Sequence, residues 1–536
     1  MSGTATFVLH THLPYCRLAG RWPHGEEWIH EALLECYLPL IGAFRRLSKT
    51  VDGSLGVTIN ITPILAEQLR DPLVVQHFRE YLADRIGRAE RDTHRFTTGP
   101  RADTARFHLA RYTEVQRLFE DDLRGNVLGA FAALEDSGSI EIASCAATHG
   151  YLPLLADDDA VRFQIETGVQ SHVANFGRPP RSFWLPECAY RPGLERFLEE
   201  AGIRAFFVET HLVTGGTARG KALGGMVGPY PPLDSTSRRP AEAGAHRGST
   251  FRPYWVGESR VAAMARNEQT GLQVWSAAHG YPGDEWYREF HKKDSESGLH
   301  YWRVTGRETG LGAKAEYEPA RASAAAQRQA SHFRDLLKRE LFLYENGARE
   351  HGNLVSSYDT ELYGHWWLEG VEWLEAVISL VAKDPDVTLA TAEAVVRDDP
   401  PNASIDLPEG SWGAGGDHRT WSNDQTAWTW PEIHRRQQRA HALLANETPA
   451  TRQLARELLL LQSSDWQFLM TTGQAHDYAV ERFNSHAARF DAIANAIESG
   501  DPGFANELVQ LEHLDNPFPD IDPRSFAGRP QGAFAR

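Results

Sequence analysis

Short apolar segments alternate with helical or polar stretches through most of this chain. Each segment is rich in β-branched or aromatic residues and carries few charges. Near-continuous apolar runs of this kind are typical of strands in a parallel sheet covered on both faces. Eight strands are predicted, at residues 7–10, 57–61, 140–143, 183–186, 205–208, 261–264, 354–358 and 387–389. Seven or eight strand–helix units of this size indicate an α/β barrel over residues 1–400.

The other parts of the chain differ from this pattern in composition. Residues 66–135 are charged and helical in pattern, so we predict a helical insertion in the barrel. Residues 215–250 are rich in Gly, Pro, Ser and Arg, which predicts a mobile loop. Helical patterns replace strands over residues 401–515 and predict an all-helical C-terminal domain. Residues 516–536 combine several prolines with little apolar content, which predicts a disordered tail.

Charge and cysteine content limit the partners and the compartment. The 536-residue chain has 55 Lys and Arg against 72 Asp and Glu, a formal charge of −17. Nucleic acids and anionic membranes attract basic surfaces, so we expect neither as a partner. The four cysteines show no CxxC spacing, which favours reduced thiols. The N-terminal residues do not resemble a signal peptide, and no run of 18 apolar residues occurs, so a cytoplasmic protein is predicted.

Histidines end the first predicted strand, at the edge where barrel enzymes carry their chemistry. His10 and His12 are two residues apart and therefore point to the same side of a strand. Such a pair predicts either two metal ligands or two hydrogen-bonding partners of a neutral substrate. A metal site needs a third ligand, for which His149 or an Asp is the candidate. Because no compact ligand motif lies nearby, we favour substrate binding and predict no metal.

Two carboxylates also follow predicted strands. Glu187 is interpreted either as a catalytic residue or as a cap of the next helix. Asp359 is interpreted either as catalytic or as a structural partner of Arg266 or a histidine, and Glu361 as a supporting or solvated carboxylate. Carboxylates at the ends of two strands suit glycosidic chemistry, in which one attacks the anomeric carbon and the other protonates the leaving oxygen.

Five segments resemble the five motifs of glycoside hydrolase family 57, and most closely those of its 1,4-α-glucan branching enzymes. They are HTHLPY at 10–15, NITP at 60–63, WLPECAY at 184–190, SYDTELYGHWW at 357–367 and DVTLAT at 386–391. The resemblance keeps their order and approximate spacing and extends over residues 4–515. The last segment departs most, because Ala-Thr replaces a sequence of the Thr-Thr-Pro-Ser-Glu type.

This resemblance implies an incomplete (β/α)7 barrel with a helical insertion and a helical C-terminal domain. It also implies a retaining mechanism without a metal or other cofactor, in which α-1,4 bonds of a glucan donor are cleaved and α-1,6 branches form on an acceptor chain. By motif position, Glu187 is the expected nucleophile and Asp359 the expected general acid/base. Retention requires their carboxyl groups to lie about 5–5.5 Å apart.

The resemblance further implies a set of substrate-binding residues. Imidazole, carboxylate, amide, guanidinium and backbone groups would bind sugar hydroxyls, and indoles would stack on glucose rings. These residues are His10, His12, His149, Arg266, Gly283, Asp465, Gln474, Trp22, Trp28, Trp275, Trp412 and Trp421. Trp367 and Trp466 are predicted to lie in the core instead, and Asp465 has the alternative of a helix cap.

Other functions remain alternatives on the sequence alone. Branching enzymes of this family carry an active-site loop with a tyrosine at its tip, whereas the corresponding residues 235–248 contain none. A 4-α-glucanotransferase or an amylase of the same family is therefore the main alternative. A metal-dependent hydrolase or deacetylase built on His10 and His12 would be separated by metal analysis and chelation. The two carboxylates disfavour a catalytically silent glucan-binding protein.

Overall fold

A computed structural model describes residues 3–215, 248–275 and 280–526 of the protein. The strands in these ranges are β1 (Gly3–Thr11), β2 (Val57–Ile61), β3 (Ile140–Cys145), β4 (Ser182–Trp184), β5 (Ala205–Val208), β6 (Tyr254–Val256), β7 (Ala262–Ala265), β8 (Gly352–Asp359), β9 (Val387–Leu389) and β10 (Ser404–Ile405). The eight predicted strands correspond to β1–β5 and β7–β9. Sequence analysis missed β6 and β10, which have three and two residues and extend the β7 edge of the sheet.

The sheet forms the incomplete barrel that the resemblance implied. Its parallel strands follow the order β7-β5-β4-β3-β2-β1-β8, β9 pairs with β1, and β6 and β10 extend the β7 edge. Between β7 and β8, the backbone N–H of Asn267 donates to the carbonyl oxygen of Val355 at 2.8 Å. Strands β2, β3, β5 and β8 are buried throughout, which explains their continuous apolar character. Parallel pairing places the carboxyl ends of these strands along one rim.

Helices cover the sheet, and further helices occupy the predicted insertion and the predicted C-terminal domain. They are α1 (Glu26–Ala32), α2 (Leu38–Leu47), α3 (Pro63–Leu69), α4 (Pro72–Arg95), α5 (Pro100–Arg117), α6 (Val127–Asp136), α7 (Asp158–Phe176), α8 (Leu194–Glu200), α9 (Thr210–Thr214), α10 (Glu268–Trp275), α11 (Pro319–Ala348), α12 (Gly370–Val381), α13 (Ala392–Asp398), α14 (Thr429–Leu443), α15 (Pro449–Leu461), α16 (Asp465–Thr472), α17 (His476–Ser499) and α18 (Ala505–Leu514). The helices α4 and α5 pack together within the predicted insertion, and α14–α18 form the C-terminal region. None of the helices in the described ranges has the length and apolar character of a bilayer span.

Residues 516–526 are packed against the protein, although the sequence predicted a disordered tail from residue 516. Phe518, Ile521 and Phe526 are buried in the same apolar cluster as α15 and α17. Phe526 lies edge-on to Phe163 with ring centroids 5.4 Å apart. Three well-spaced apolar side chains suffice to dock a short segment, and the low average apolar content concealed them. Residues 527–536 and residues 216–247 of the predicted mobile loop lie outside the described residues.

Candidate active site

The carboxyl ends of neighbouring strands bring the predicted motif residues together. His10 near the end of β1 pairs in register with Asp359, the last residue of β8. His149 follows β3, and Glu187 follows β4 at a distance of 3.9 Å between its Oε1 and Nδ1 of His149. The indole of Trp184, which ends β4, stacks on the imidazole of His10 with centroids 4.5 Å apart. The two predicted catalytic carboxylates therefore lie on one rim. The imidazoles of His10 and His149, which we call the histidine wall, lie between them.

A chain of hydrogen bonds fixes the tautomers of this wall. The amide nitrogen of Asn60 donates to two carbonyl oxygens of β3, which leaves its oxygen to accept from Nδ1 of His10 at 2.7 Å. The Nε2 of His10 then accepts from Nε2 of His149 at 3.1 Å, and Nδ1 of His149 accepts from the hydroxyl of Ser464 at 2.8 Å. Both imidazoles thus bond protein partners through both nitrogens. They shape the cleft, and their predicted bonds to substrate remain a prediction.

The second histidine of the first motif connects the barrel to the C-terminal helices. Nε2 of His12 contacts Oδ1 of Asp465 at 2.9 Å, and its Nδ1 contacts the hydroxyl of Thr62 at 3.0 Å. Burial disfavours the charged imidazole, but the Asp465 carboxylate overcomes this and raises the pKa of His12 above its ordinary value. Asp465 is the first residue of α16, and Ser463 donates to its other oxygen at 2.6 Å. Helix α16 therefore completes the site from outside the barrel.

The geometry of His12, His149 and Asp465 bears on the metal-dependent alternative. These three side chains are close enough to be considered as a ligand set. However, the two imidazoles are stacked with centroids 3.8 Å apart and planes only 17° from parallel. A nitrogen lone pair lies in the plane of its ring, so stacked rings do not direct their lone pairs at one ion. The donor set fits a hydrogen-bonded cluster and does not fit a tetrahedral metal site.

Backbone strain is concentrated at the expected nucleophile. Glu187 lies in a 3-10 turn (Pro186–Cys188) with φ 61° and ψ 24°, and Cys188 has φ 46°. His149, which faces Glu187, has φ 58°. A left-handed backbone costs a residue other than glycine about 1–3 kcal/mol, and such residues cluster where the fold must aim a functional side chain. This local geometry supports a catalytic interpretation of Glu187 over a helix cap.

The indole of Trp412 contacts the expected nucleophile directly. Its Nε1 donates to Oε2 of Glu187 at 2.6 Å, and its backbone N–H donates to the Glu187 carbonyl oxygen at 3.1 Å. The Trp412 side chain is 2% exposed and lies edge-on to Trp184. The sequence predicted an indole that stacks on glucose. In the structure the loop after β10 places this indole under the rim against the Glu187 carboxylate, and its predicted contact with glucose stays a prediction.

We expect Trp412→Phe to lower kcat by about 10–100-fold with little change in KM. The substitution keeps an aromatic ring at this position but removes the hydrogen bond to the Glu187 carboxylate. A hydrogen bond to a charged group contributes about 1.5–3 kcal/mol. Steady-state kinetics on amylose measures both constants. Trp373→Phe is the matched control, since the buried indole N–H of Trp373 has no acceptor within the described part of the chain. A raised KM with unchanged kcat would instead indicate that Trp412 binds substrate.

The remaining predicted indoles differ in accessibility. Trp22 is 78% exposed, and Trp28 is half-buried with its ring edge-on to Tyr478 at 5.4 Å. Trp275 is buried, and Trp421 is fully buried against Tyr151 with centroids 4.5 Å apart. Only Trp22 and Trp28 therefore present an open ring surface in this conformation. Trp367 and Trp466 lie in the core, as predicted.

The remaining predicted polar residues have different environments. Arg266 follows β7 and forms a buried ion pair with Glu209 at 2.6 Å. Gly283 ends a 3-10 turn (Tyr281–Gly283) beside the side chain of Arg307. Nε2 of Gln474 is buried and has no hydrogen-bond partner in the ranges that the structure describes, and its predicted role in substrate binding stays a prediction. Sequence analysis overlooked Glu209, although its position directly after β5 matches that of the other rim residues.

Comparisons with known proteins agree with this architecture. The sequence model of glycosyl hydrolase family 57 matches residues 6–408, and a model of the C-terminal region of 1,4-alpha-glucan branching enzymes matches residues 432–526. A 1,4-alpha-glucan branching enzyme of Thermococcus kodakarensis is 42% identical over 97% of this chain and 78% of its own length. A probable 1,4-alpha-glucan branching enzyme of Mycobacterium tuberculosis is 30% identical over 97% of this chain and 98% of its own.

Solved structures extend the similarity to three dimensions. The crystal structure of the Thermococcus kodakaraensis branching enzyme in complex with glucose has a TM-score of 0.91 and 41% identity, and covers 99% of this chain and 97% of that chain. A branching enzyme from Pyrococcus horikoshii has a TM-score of 0.87 at 39% identity, with 99% and 98% coverage. The α-amylase AmyC from Thermotoga maritima has a TM-score of 0.84 at 28% identity, with 99% and 100% coverage.

Proposed function

Because this chain belongs to glycosyl hydrolase family 57, we propose that it is a 1,4-α-glucan branching enzyme. It cleaves α-1,4 bonds of a glucan donor and forms α-1,6 branches by a retaining mechanism, in the cytoplasm and in the synthesis of a glycogen-type polymer. One observation carries the choice of branching. Ser464 and Asp465 bond to His149 and His12 of the barrel, and they lie in the region that matches branching enzymes. The C-terminal helices are therefore part of the site.

The arrangement supports a double displacement in which the carboxylates have separate roles. Glu187, held by Trp412 through Oε2, attacks C1 of the donor while Asp359 gives a proton to the departing O4. The glycosyl chain is then covalently bound to Glu187 as a glycosyl-enzyme intermediate. Asp359 next takes the proton of an acceptor C6 hydroxyl, whose oxygen attacks C1 and releases Glu187. The substrate hydroxyls would be bound by the exposed polar groups of the rim, and the outer glucose units by Trp22 and Trp28.

Amylase-type hydrolysis is the second candidate. The AmyC α-amylase shares the fold over the full length of both chains, and residues 235–248 contain no tyrosine. Water competes with the C6 hydroxyl for the glycosyl-enzyme, so the balance of products depends on acceptor binding and on exclusion of water. Residues 235–247 of this loop lie outside the described residues, so its position at the active site stays a prediction.

Incubation with amylose separates the two candidates. We expect α-1,6 linkages, counted by proton NMR, to form in excess over the reducing ends released, because transfer conserves the number of glycosidic bonds. A Glu187→Gln sample provides the background of both signals. Reducing ends that accumulate without α-1,6 linkages would reject branching and support the amylase alternative.

A further inference from the structure

A cavity of about 430 Å³ lies against helix α11. Its lining comes from the last turn of α10, from the turn at residues 280–284, from Arg307 and from three residues of α11. Glu187 and Asp359 are not among its described lining residues, and Gly283 of that turn is not among them either. Small-molecule sites in proteins usually measure about 300–1,000 Å³, so this cavity is large enough for a small organic ligand.

The acceptor groups of this lining already bond to other parts of the protein. Oδ1 of Asp284 accepts from the backbone N–H of Trp286 at 3.0 Å, and its Oδ2 accepts from Nε2 of Gln329 at 2.8 Å. Oε1 of Gln329 accepts from the hydroxyl of Tyr287. These bonds join the turn to α11, and they engage both oxygens of the one carboxylate among the described lining residues.

The lining groups with hydrogen-bonding capacity left over in the described ranges are mainly donors. Arg328 forms no ion pair or hydrogen bond there, and Arg307 donates only to the carbonyl oxygen of Gly280, through Nη2 at 3.4 Å. The hydroxyl of Tyr281 has one partner there, Nδ1 of His332 at 2.6 Å. A buried phenol with a single partner donates its hydrogen to it, which leaves Nε2 of His332 as a donor. Both guanidiniums and this imidazole are therefore available to an acceptor.

The charge and chemistry of the lining favour an anion over a neutral sugar. Arg307 and Arg328 outweigh the charge of Asp284, in a chain that has 55 Lys and Arg against 72 Asp and Glu. Guanidinium forks bind phosphate oxygens through paired hydrogen bonds. A sugar would need an open aromatic face and several acceptors, but Tyr281 is only 6% exposed and Gln273 is the one further side chain that offers an acceptor. The oxygens of an ionised phosphate, which only accept, match this set of donors.

We propose that this cavity binds a small phosphate-bearing molecule, such as a sugar phosphate, through the guanidinium groups of Arg307 and Arg328. Nε2 of His332 donates a further hydrogen bond to the ligand. Both guanidiniums are exposed to solvent, so their attraction for the phosphate is screened by salt. The inference does not depend on the catalytic roles proposed for Glu187 and Asp359, because neither is among the described lining residues.

Isothermal titration calorimetry of the full chain with glucose 6-phosphate tests the proposal. We expect saturable binding at about 50 mM salt and a several-fold larger Kd at about 200 mM, because the two arginines are exposed. Arg307→Gln and Arg328→Gln should each raise Kd about 5–10-fold, since each removes charge-assisted hydrogen bonds to phosphate. Arg328→Lys should raise Kd less, because the charge remains while the fork is lost. Thermal unfolding confirms that each variant is folded.

Arg339 provides a matched control on the same helix. Its side chain is 63% exposed, pairs with Glu340 at 3.0 Å and is not among the described lining residues of the cavity. Arg339→Gln changes the net charge of the chain by the same amount, so Kd should stay at the wild-type value. An equal rise of Kd in Arg339→Gln would attribute the binding to overall charge and overturn the proposal.

A double variant and two further probes complete the test. An unchanged Kd for glucose 6-phosphate in the folded double variant of Arg307→Gln and Arg328→Gln would overturn the site; if that variant does not fold, the single variants decide by the same criterion. Glucose that bound as tightly as glucose 6-phosphate, with equal sensitivity to both substitutions, would overturn the recognition of phosphate. Inorganic phosphate that bound as tightly, with the same sensitivity, would support the phosphate site and identify the free ion as its ligand.

Discussion

Glu187→Gln is expected to reduce transfer and hydrolysis together by about four orders of magnitude. Both reactions pass through the same glycosyl-enzyme, and an amide is too weak a nucleophile to form it. Gln keeps the size of the side chain and can still accept from Trp412, so the fold should be retained. Release of reducing ends and formation of α-1,6 linkages from amylose measure the two activities, and thermal unfolding measures stability.

A neighbouring carboxylate provides the control for that variant. Glu195 in α8 accepts from the hydroxyl of Tyr190 at 2.6 Å and from the backbone N–H of Gly193 at 2.9 Å, both close to it in the chain. Glu195→Gln should retain most of the activity. If Glu187→Gln remained active with an unchanged unfolding temperature, the nucleophile would have to be another residue of the rim.

Asp359→Asn is expected to lower kcat on amylose by about 10²–10⁴-fold, the usual contribution of a general acid/base. With a maltosyl fluoride donor, the first step proceeds without strong proton donation, and the glycosyl-enzyme accumulates. Azide should then restore turnover, because this small anion attacks C1 without a base and yields a maltosyl azide of retained α configuration. Chromatography and NMR identify that product.

Asp386 serves as the control for Asp359. It lies in the motif that departs most from the family, is half-buried, and pairs with Lys338 at 3.0 Å away from the rim. Asp386→Asn should neither lose activity nor respond to azide. Azide rescue of inverted configuration in Asp359→Asn would contradict a retaining mechanism, and the absence of rescue in an inactive, folded variant would contradict the base role.

The main features of the barrel could be predicted from the sequence because local pattern and tertiary environment agree there. Strands β2, β3 and β5 are buried on both faces, so their sequences are continuously apolar and easy to recognise. The N-cap of α15 also depends on adjacent residues alone, since Thr448 accepts from the N–H of Thr451 and Pro449 occupies the first turn. Where a segment depends on a few distant contacts, as residues 516–526 do, average composition gave the wrong prediction.

The sequence by itself determined the family, the order of the strands along the chain and the placement of His10, His149, Glu187 and Asp359 at strand ends. These properties follow from motifs and from the side-chain periodicity of strands, which are local. Which side chains form hydrogen bonds with these site residues was decided by the tertiary structure. Neither the Trp412 bond to Glu187 nor the Tyr37 bond to Glu361 has a sequence signal, since 225 and 324 positions separate the partners. Hydrogen bonds across such separations depend on how the sheet curls and which loops fold over its rim, and no local pattern encodes that.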